Sequence, residues 1–394
     1  MTPTTNHKRL DEEGQAMIEE LLQERLRLAI KYTMIQVLEE EVDAFVNASP
    51  YQRTPERRDQ RNGSYERDLG TSMGVIEDLV VPRTRNGFRT ELFERYQRRQ
   101  TELDEAILEM FVGGVSTSRV GEVVEALSGG KLSSSTVSRI FHSLDEEFEG
   151  WKSRPLQNRY LYVFADGTYF TVIYGEEGCK MPILAVIGID ETGKRDVLAF
   201  TVGERENQHA WEDLLENLRS RGVQQIDLWI TDGNQAMLNA IQSKFFGSQR
   251  QRCMKHKIEN VLGYVPEKQQ ESVRAELKAI FYQASRQQAD QLAAAFIEKY
   301  TAIYPSAIEC LKRDWEACLT FYSFPNKHWK FIRTTNVIER LFGEVKKRSH
   351  KMAAAFRNEA SCMLMFYAVI RSLKLRRIAV PAKSTEPLQL LHNS

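Results

Sequence analysis

Apolar residues recur every three or four positions over residues 12–47, as Ile18, Leu22, Leu26 and Ile30, then Ile35, Leu38, Val42 and Phe45. With no proline and only Gly14 inside it, this stretch is expected to be one long helix. The pattern then turns to alternation. Extended runs flank Met73–Gly74, and Val80–Pro82 closes the second, which reads as a β-hairpin. Three short helices are expected over residues 103–148. The first carries Leu103, Ile107, Leu108, Phe111 and Val112. The second begins near Ser116–Ser118 and carries Val120, Val123, Val124 and Leu127. After a linker at 128–132, Ser133 and Ser134 are N-cap types for the third, with Val137, Ile140, Phe141, Leu144 and Phe148 as its stripe.

From Tyr160 the residues are β-formers. The run Tyr160 to Ala165 ends in Asp166 and Gly167 and resumes as Thr168 to Tyr174, which predicts two strands of a hairpin turning at Asp166-Gly167. Further strands are expected at 182–190 and 196–203, joined by a turn at Glu191-Thr192-Gly193-Lys194. A helix at about 208–221 (Trp211, Leu214, Leu215, Leu218), a strand at 226–231 ending in Asp232, and a helix at 234–246 follow. Helical spacing returns at 267–283, 286–300 and 306–322, with Leu277, Ile280, Phe281, Leu292, Phe296, Ile297 and Trp315 as a small core. It appears again over 335–348, where Val337, Ile338, Leu341, Phe342 and Val345 form one stripe.

Antiparallel strands, then helix, strand and helix, match the order of a ribonuclease-H-like α/β core. In such a sheet the first and fourth strands are neighbours, so Asp166 and Asp232 are expected to converge, with Gly233 allowing a sharp turn. Two converging carboxylates repel unless a cation lies between them, and oxygen-only ligands suit Mg²⁺ or Mn²⁺ rather than zinc. A third acid is expected from the helix over 335–348. Glu339 lies off its apolar stripe and is the better candidate; Glu344, on the flank, is placed to pair with Lys347. Asp166 and Asp232 are 66 positions apart, and Asp232 and Glu339 are 107 apart, so an insertion must fill the second interval. Cys253 and His256 form a C-x-x-H pair with no second such pair, which argues against structural zinc.

The 394 residues, 42% hydrophobic and 27% charged, are those of a globular protein of two or three domains. Five scattered cysteines suit a reducing compartment, and the N-terminal residues show no secretory signal. The longest apolar run, at 363–370, is far short of the roughly 20 residues that span a bilayer. A cytoplasmic protein without membrane association is expected. The net charge is zero, but the distribution is uneven. Residues 330–377 hold twelve Lys or Arg against three Glu, residues 51–100 eleven against eight acids, and residues 101–150 three against ten. The first two are candidate phosphate-binding regions. Candidate DNA contacts are Arg57, Arg58, Arg61 and Arg67 in the hairpin region and Arg333, Arg340, Lys346, Lys347 and Arg348 near the third acid. Ser135, Ser138 and Arg139 join them on the open face of a helix-turn-helix-like segment, where short polar side chains reach base edges. The acidic balance of that segment is as compatible with a plain three-helix bundle.

The chain resembles the Mutator-like transposases of bacterial insertion sequences over residues 42–377. The likeness is carried by RNGSYER (61–67), ELFERYQR (91–98), GVSTSRV (114–120), SSSTVSR (133–139), ADGTYF (165–170), ITDGNQAM (230–237), QRCMKH (251–256) and TTNVIER (334–340). The resemblance implies a DDE transposase with Asp166, Asp232 and Glu339 as catalytic and metal-binding acids, supported by Cys253, His256 and Asn336. It implies two Mg²⁺ or Mn²⁺ ions per site, a helical insertion between the second and third acids, and a circular double-stranded intermediate. Family members often have Asp-Ala where this chain has Asp166-Gly167. The expected protein is multidomain α+β. It has a helical dimerisation region (1–50), a basic hairpin (51–100), a helix-turn-helix-like region (101–150) and the core in two parts (156–256 and 331–380). The insertion (257–330) separates those parts, and a tail (381–394) follows. Its partners are double-stranded DNA and a second copy or more of itself, bringing it to the bacterial nucleoid when bound. The competing readings are a transposase-derived regulator and a nuclease that does not join strands.

Overall fold

The computed structural model describes residues 12–71, 73–93, 99–128, 132–174, 177–202, 206–351, 358–373 and 375. The expected tail at 381–394 lies outside them. The chain forms two compact units that divide between Ser143 and Leu144.

The first unit comprises α1 (Glu12–Val46), β1 (Arg61–Thr71), β2 (Gly74–Thr84), α2 (Thr101–Val112), α3 (Thr117–Ser128) and α4 (Ser134–His142). β1 and β2 pair antiparallel, and the strand begins at Arg61, so RNGSYER is itself part of the ladder. One face of the hairpin (Leu69, Ile76, Leu79, Val81) packs on Leu38 of α1 and on Phe93, with Ile30, Met34 and Ile35 alongside. Helix and hairpin thus share one core. The small helices bury Ile107, Leu108, Phe111, Val120, Val124, Val137, Ile140 and Phe141. The N-terminal half of α1 leaves Ile18, Leu22 and Leu26 exposed.

The second unit begins with α5 (Leu144–Ser153), β3 (Arg159–Tyr174), β4 (Glu177–Ile189), β5 (Arg195–Val202), α6 (Gln208–Ser220), β6 (Gln225–Thr231), α7 (Gln235–Lys244) and β7 (Gln249–Arg252). It continues with α8 (Met254–Leu262), α9 (Glu267–Phe281), α10 (Arg286–Tyr300), α11 (Pro305–Arg313), α12 (Trp315–Leu319), α13 (Asn326–Ile332), α14 (Asn336–Lys351) and α15 (Glu359–Ser372). The five strands lie in the order β5-β4-β3-β6-β7. β4 is antiparallel to β3 and β5, while β6 runs parallel to β3 and β7. Consecutive buried residues along β3 and β4 follow from cover on both faces. Trp211, Leu214, Leu215 and Leu218 of α6 and Met237 and Ile241 of α7 pack with Val163, Ala165, Leu184 and Trp229. On the other face, Phe366 of α15 meets Phe170, Phe200 and Phe342 at ring distances of 6.4, 4.5 and 6.1 Å.

Three expectations need correction. Asp166-Gly167 is not a turn: Asp166, Gly167 and Thr168 pair with Ala185, Leu184 and Ile183 inside one continuous strand. An Asp-Gly pair turns a hairpin only when the strand folds back on itself there, and β4 instead keeps pairing straight across it. The third small helix breaks at Ser143, and Phe148, read as part of its stripe, stacks on Phe200 at 5.7 Å within the second unit. Leu292, read as insertion core, is 41% exposed, whereas Leu277, Ile280, Phe281 and Phe296 are buried. Among the described residues no helix is long and apolar enough to cross a membrane.

Candidate active site

Asp166 and Asp232 occupy matching positions on the two central strands. β3 and β6 pair in parallel as far as Ala165 with Thr231, so each acid is the next residue along. Side-chain alternation puts Asp166, Thr168 and Phe170 on the face covered by α14 and α15; Lys346 Nζ of α14 donates to Thr168 Oγ1 at 2.6 Å. Past Thr231 the chain turns through Gly233 at φ +82°. A Cβ there would come within 1.8 Å of Arg252 Nη1, so conformation and space both require glycine. Asn234 then caps α7, its side-chain oxygen accepting from Ala236 N and Met237 N, while its own backbone N–H donates to Asp232 Oδ1 at 2.9 Å.

Asp166 is 7% exposed, and its Oδ1 accepts from Gly167 N at 2.9 Å. Burial, then the neighbouring Asp232, push its carboxyl up to about 7, with the charge of His256 pulling the other way. A divalent cation between the two aspartates would relieve that cost, and donors that are carboxylate oxygens suit Mg²⁺ or Mn²⁺. Asp166 and Asp232 therefore fit such an ion.

Glu339 approaches from the first turn of α14, where the helix dipole favours an anion. Thr335 Oγ1 donates to its Oε1 at 3.0 Å, Lys255 of α8 pairs with its Oε2, and His256 Nε2 lies 3.7 Å from Oε1. Burial opposes its charge, but Lys255, Thr335 and His256 outweigh burial and hold the carboxyl below the usual range. Cys253, His256 and Glu339 bring ligand-type atoms within 4.8 Å of one another. The Thr335 hydroxyl lies among them, 3.3 Å from Cys253 Sγ, 3.4 Å from His256 Nδ1 and 3.0 Å from Glu339 Oε1, within hydrogen-bonding distance of each. The adjacent Cys253 thiol raises His256 to about 9 against the effect of burial, and Asp166 and Glu339 add to it. Cys253 is lowered in turn, since His256 outweighs its burial. Glu344, the other acid of α14, is paired with Lys347 at 3.1 Å and Arg348 at 2.8 Å, which hold it below the usual range.

Asn336 is exposed, with no side-chain hydrogen bond among the described residues, whereas Thr335 is fully buried and makes the contacts. Sequence reasoning also passed over Lys255 and Asn234, both inside motifs it quoted, and Glu206, which no motif marked.

The candidate DNA contacts differ in availability. Arg61 is engaged within the first unit, paired with Asp43 and donating to the Ala48 carbonyl at 2.7 Å. Arg57 donates to the carbonyls of Asp59 and Gln52. Arg67 lies over the Phe93 ring at 4.5 Å, and Arg333 over Tyr282 at 3.7 Å. Arg58, Ser138, Arg139 and Arg340 are exposed, as is Ser135, whose hydroxyl is 2.8 Å from that of Ser133. Lys346 reaches Thr168, while Lys347 and Arg348 flank Glu344.

The family model described as "Transposase, Mutator family" matches residues 1–376. The chain is 34% identical over 345 residues to the transposase for insertion sequence element ISRM5 of Rhizobium meliloti (strain 1021), covering 87% of this chain and 86% of that one. It is 33% identical over 369 residues to the transposase for insertion sequence element IS256 in transposon Tn4001 of Staphylococcus aureus, covering 92% and 93%. It is 31% identical over 332 residues to the transposase for insertion sequence element IS905 of Lactococcus lactis, covering 84% of each.

Proposed function

The chain belongs to the Mutator family of transposases, and from that premise we propose that it cuts and joins DNA at the ends of an insertion sequence, with Asp166, Asp232 and Glu339 as its catalytic acids. The observation that carries this reading is the parallel pairing of β3 and β6 up to Ala165 and Thr231, which brings Asp166, midway along β3, beside Asp232, just past the end of β6. The strand order, with β4 alone reversed, supports a ribonuclease-H-like core; α9 to α12 form the insertion between the second and third acids.

When bound, two Mg²⁺ or Mn²⁺ ions held by Asp166, Asp232 and Glu339 would activate the attacking oxygen and neutralise charge on the leaving one. The chain's own residues prepare that arrangement. Asn234 orients Asp232 through its backbone N–H. Thr335 and Lys255 fix the Glu339 carboxylate in its ionised form, and Cys253 and His256 brace Thr335. Attack by water at the element's end breaks the P–O3′ bond and leaves a 3′-OH and a 5′-phosphate. That 3′-OH then attacks a second phosphodiester, so one P–O bond forms for each that breaks. The first unit binds the terminal inverted repeat, and the basic residues of α14 line the path of the strand. Transposition proceeds through a circular double-stranded intermediate. Joining two ends calls for a homodimer or larger assembly, a reading supported by the exposed Ile18, Leu22 and Leu26 of α1.

The two acids of α14 provide the test. Glu339→Gln is expected to bind labelled end DNA but neither cleave nor join it. Glu344→Gln is expected to keep substantial activity, because its exposed ion pairs are each worth only about 0.3–0.5 kcal/mol. A dead Glu344→Gln beside an active Glu339→Gln, both folded, would overturn the assignment. Cleavage by the unaltered protein without any joined product would favour a nuclease, and binding without cleavage a regulator.

A further inference from the structure

At the edge of the sheet formed by β7, a cavity of about 550 Å³ opens between that strand, the β6–α7 turn and the end of α11. Its wall includes Thr231 and Gly233, the residues on either side of Asp232, and it is lined by Arg250, Arg252, Lys312 and Arg313. Arg250, Lys312 and Arg313 are exposed and make no ion pair among the described residues. Arg252 differs from them. It is 8% exposed, and its guanidinium packs against Gly233. Its Nη2 reaches the Asn260 side-chain oxygen at 2.9 Å, but Nε and Nη1 have no hydrogen-bond partner among the described residues. The carboxylate facing it, Asp314, stands 3.9 Å from Nε and makes a shorter contact, 3.0 Å, with Nζ of the fully buried Lys257. One carboxylate thus serves two buried cations. The other acid on the cavity, Glu316, is taken by Arg286. Cations withdrawn from water are costly unless each is paired, so the cavity is short of negative charge.

We propose that this cavity is a phosphate site, seating a backbone phosphodiester of the DNA close to the bond that is cut. Arg250, Lys312 and Arg313 reach its oxygens, and Arg252 supplies charge from the wall beneath. Guanidinium and ammonium groups converging on one cavity match a phosphate, which offers several oxygens to several donors. The place of the cavity selects DNA as the source, because its wall is one residue from Asp232 on each side. The proposal rests on the reading of Asp232 as a catalytic acid. It also gives the insertion a task, since Lys312 and Arg313 of α11 complete a site that Arg250 and Arg252 of β7 only begin.

The test is binding of end DNA by the full-length protein, with a neutral methylphosphonate placed at one position at a time around the cut. Unaltered protein is compared with Arg250→Ala/Lys312→Ala and with Lys268→Ala/Lys278→Ala, which removes two exposed charges from α9 instead. The expected result is one position beside the cut where the methylphosphonate weakens binding by unaltered protein and by the α9 variant about tenfold. The same substitution should cost the cavity variant little more, because the contact is already gone. The log–log salt slope of the cavity variant should fall by about 0.9, one phosphate's worth. Equal penalties at every position in unaltered protein and cavity variant would overturn the site, as would coupling only at positions remote from the cut. The catalytic reading would still stand if Asp232→Asn bound the DNA without cutting it, and would fall if that variant cut normally. Inorganic phosphate that raises the melting temperature of unaltered protein but not of the cavity variant, with no coupling to any DNA position, would mark a free-anion site and overturn the assignment to DNA.

Discussion

Asp166 is a carboxylate kept where its charge is opposed. Flanking Tyr162, Phe164 and Ala165 are buried, Asp232 lies on the next strand, and the carboxyl is pushed up to about 7. An acid raised in the folded state costs stability increasingly as pH climbs from the ordinary carboxylate value, about 4, to the raised value, and costs nothing below about pH 4. Asp166→Asn is therefore expected to abolish cleavage yet stabilise metal-free protein at pH 8 by up to about 4 kcal/mol, about three units of displacement at about 1.4 kcal/mol each. The gain should vanish near pH 4. Denaturant melts in chelator at both pH values check this, and a less stable variant at pH 8 would show that Asp166 is compensated within the protein. Sequence singled out this acid because a lone carboxylate in an apolar run is conspicuous. Glu206 carried no such contrast, being followed by the polar Asn207, Gln208 and His209.

The β6–α7 connection shows how an element end positions a side chain. Thr231, Asp232, Gly233 and Asn234 carry the chain from strand to helix with a left-handed glycine pressed against the Arg252 guanidinium. Gly233→Ala is expected to lower stability by about 1–3 kcal/mol from backbone strain alone, and more from the contact with Arg252. Cleavage should fall further than folding, since Asp232 moves with the turn. Adding Arg252→Ala should restore only the steric share. Thermal melts and cleavage assays on the single and double variants test this; a Gly233→Ala protein that melts like the unaltered one would remove the requirement. Gly233 was legible in advance because strand, acid and glycine followed in sequence. Gly167 follows the same grammar and does something else, because β4 runs long enough to pair across it.

Across the whole molecule, the extent of each folding unit decides which fragments are meaningful. Leu38 of α1 fills the core under the hairpin, and Phe148 packs on the second unit. A fragment of residues 1–143 is expected to fold and to bind end DNA with salt-dependent affinity, its log–log slope falling by about 0.9 for each phosphate contact removed. A fragment of residues 51–143 should not fold, for want of the helix that covers Ile76 and Leu79. Circular dichroism and binding over a salt series check both, and cooperative folding of the shorter one would mean the hairpin needs no cover. Within the longer one, Arg58→Ala and Arg139→Ala should weaken binding without loss of stability. Arg61→Ala should destabilise the unit, because its guanidinium joins the hairpin to Asp43 and Ala48.

Local pattern by itself determined the long first helix, the first hairpin and most strands and helices of the second unit, and it marked Asp166, Asp232 and Glu339 as candidates at the ends of apolar runs or off an apolar stripe. These are consequences of period and composition, which a chain carries wherever it folds. Tertiary structure alone decided that Asp166-Gly167 continues a strand, that Thr335 holds Glu339, and that Glu206 stands beside Gly167 and Asn234. Each depends on which distant segment arrives opposite, and contacts such as Asn234 with Glu206 or Lys255 with Glu339 leave no periodic trace in the sequence.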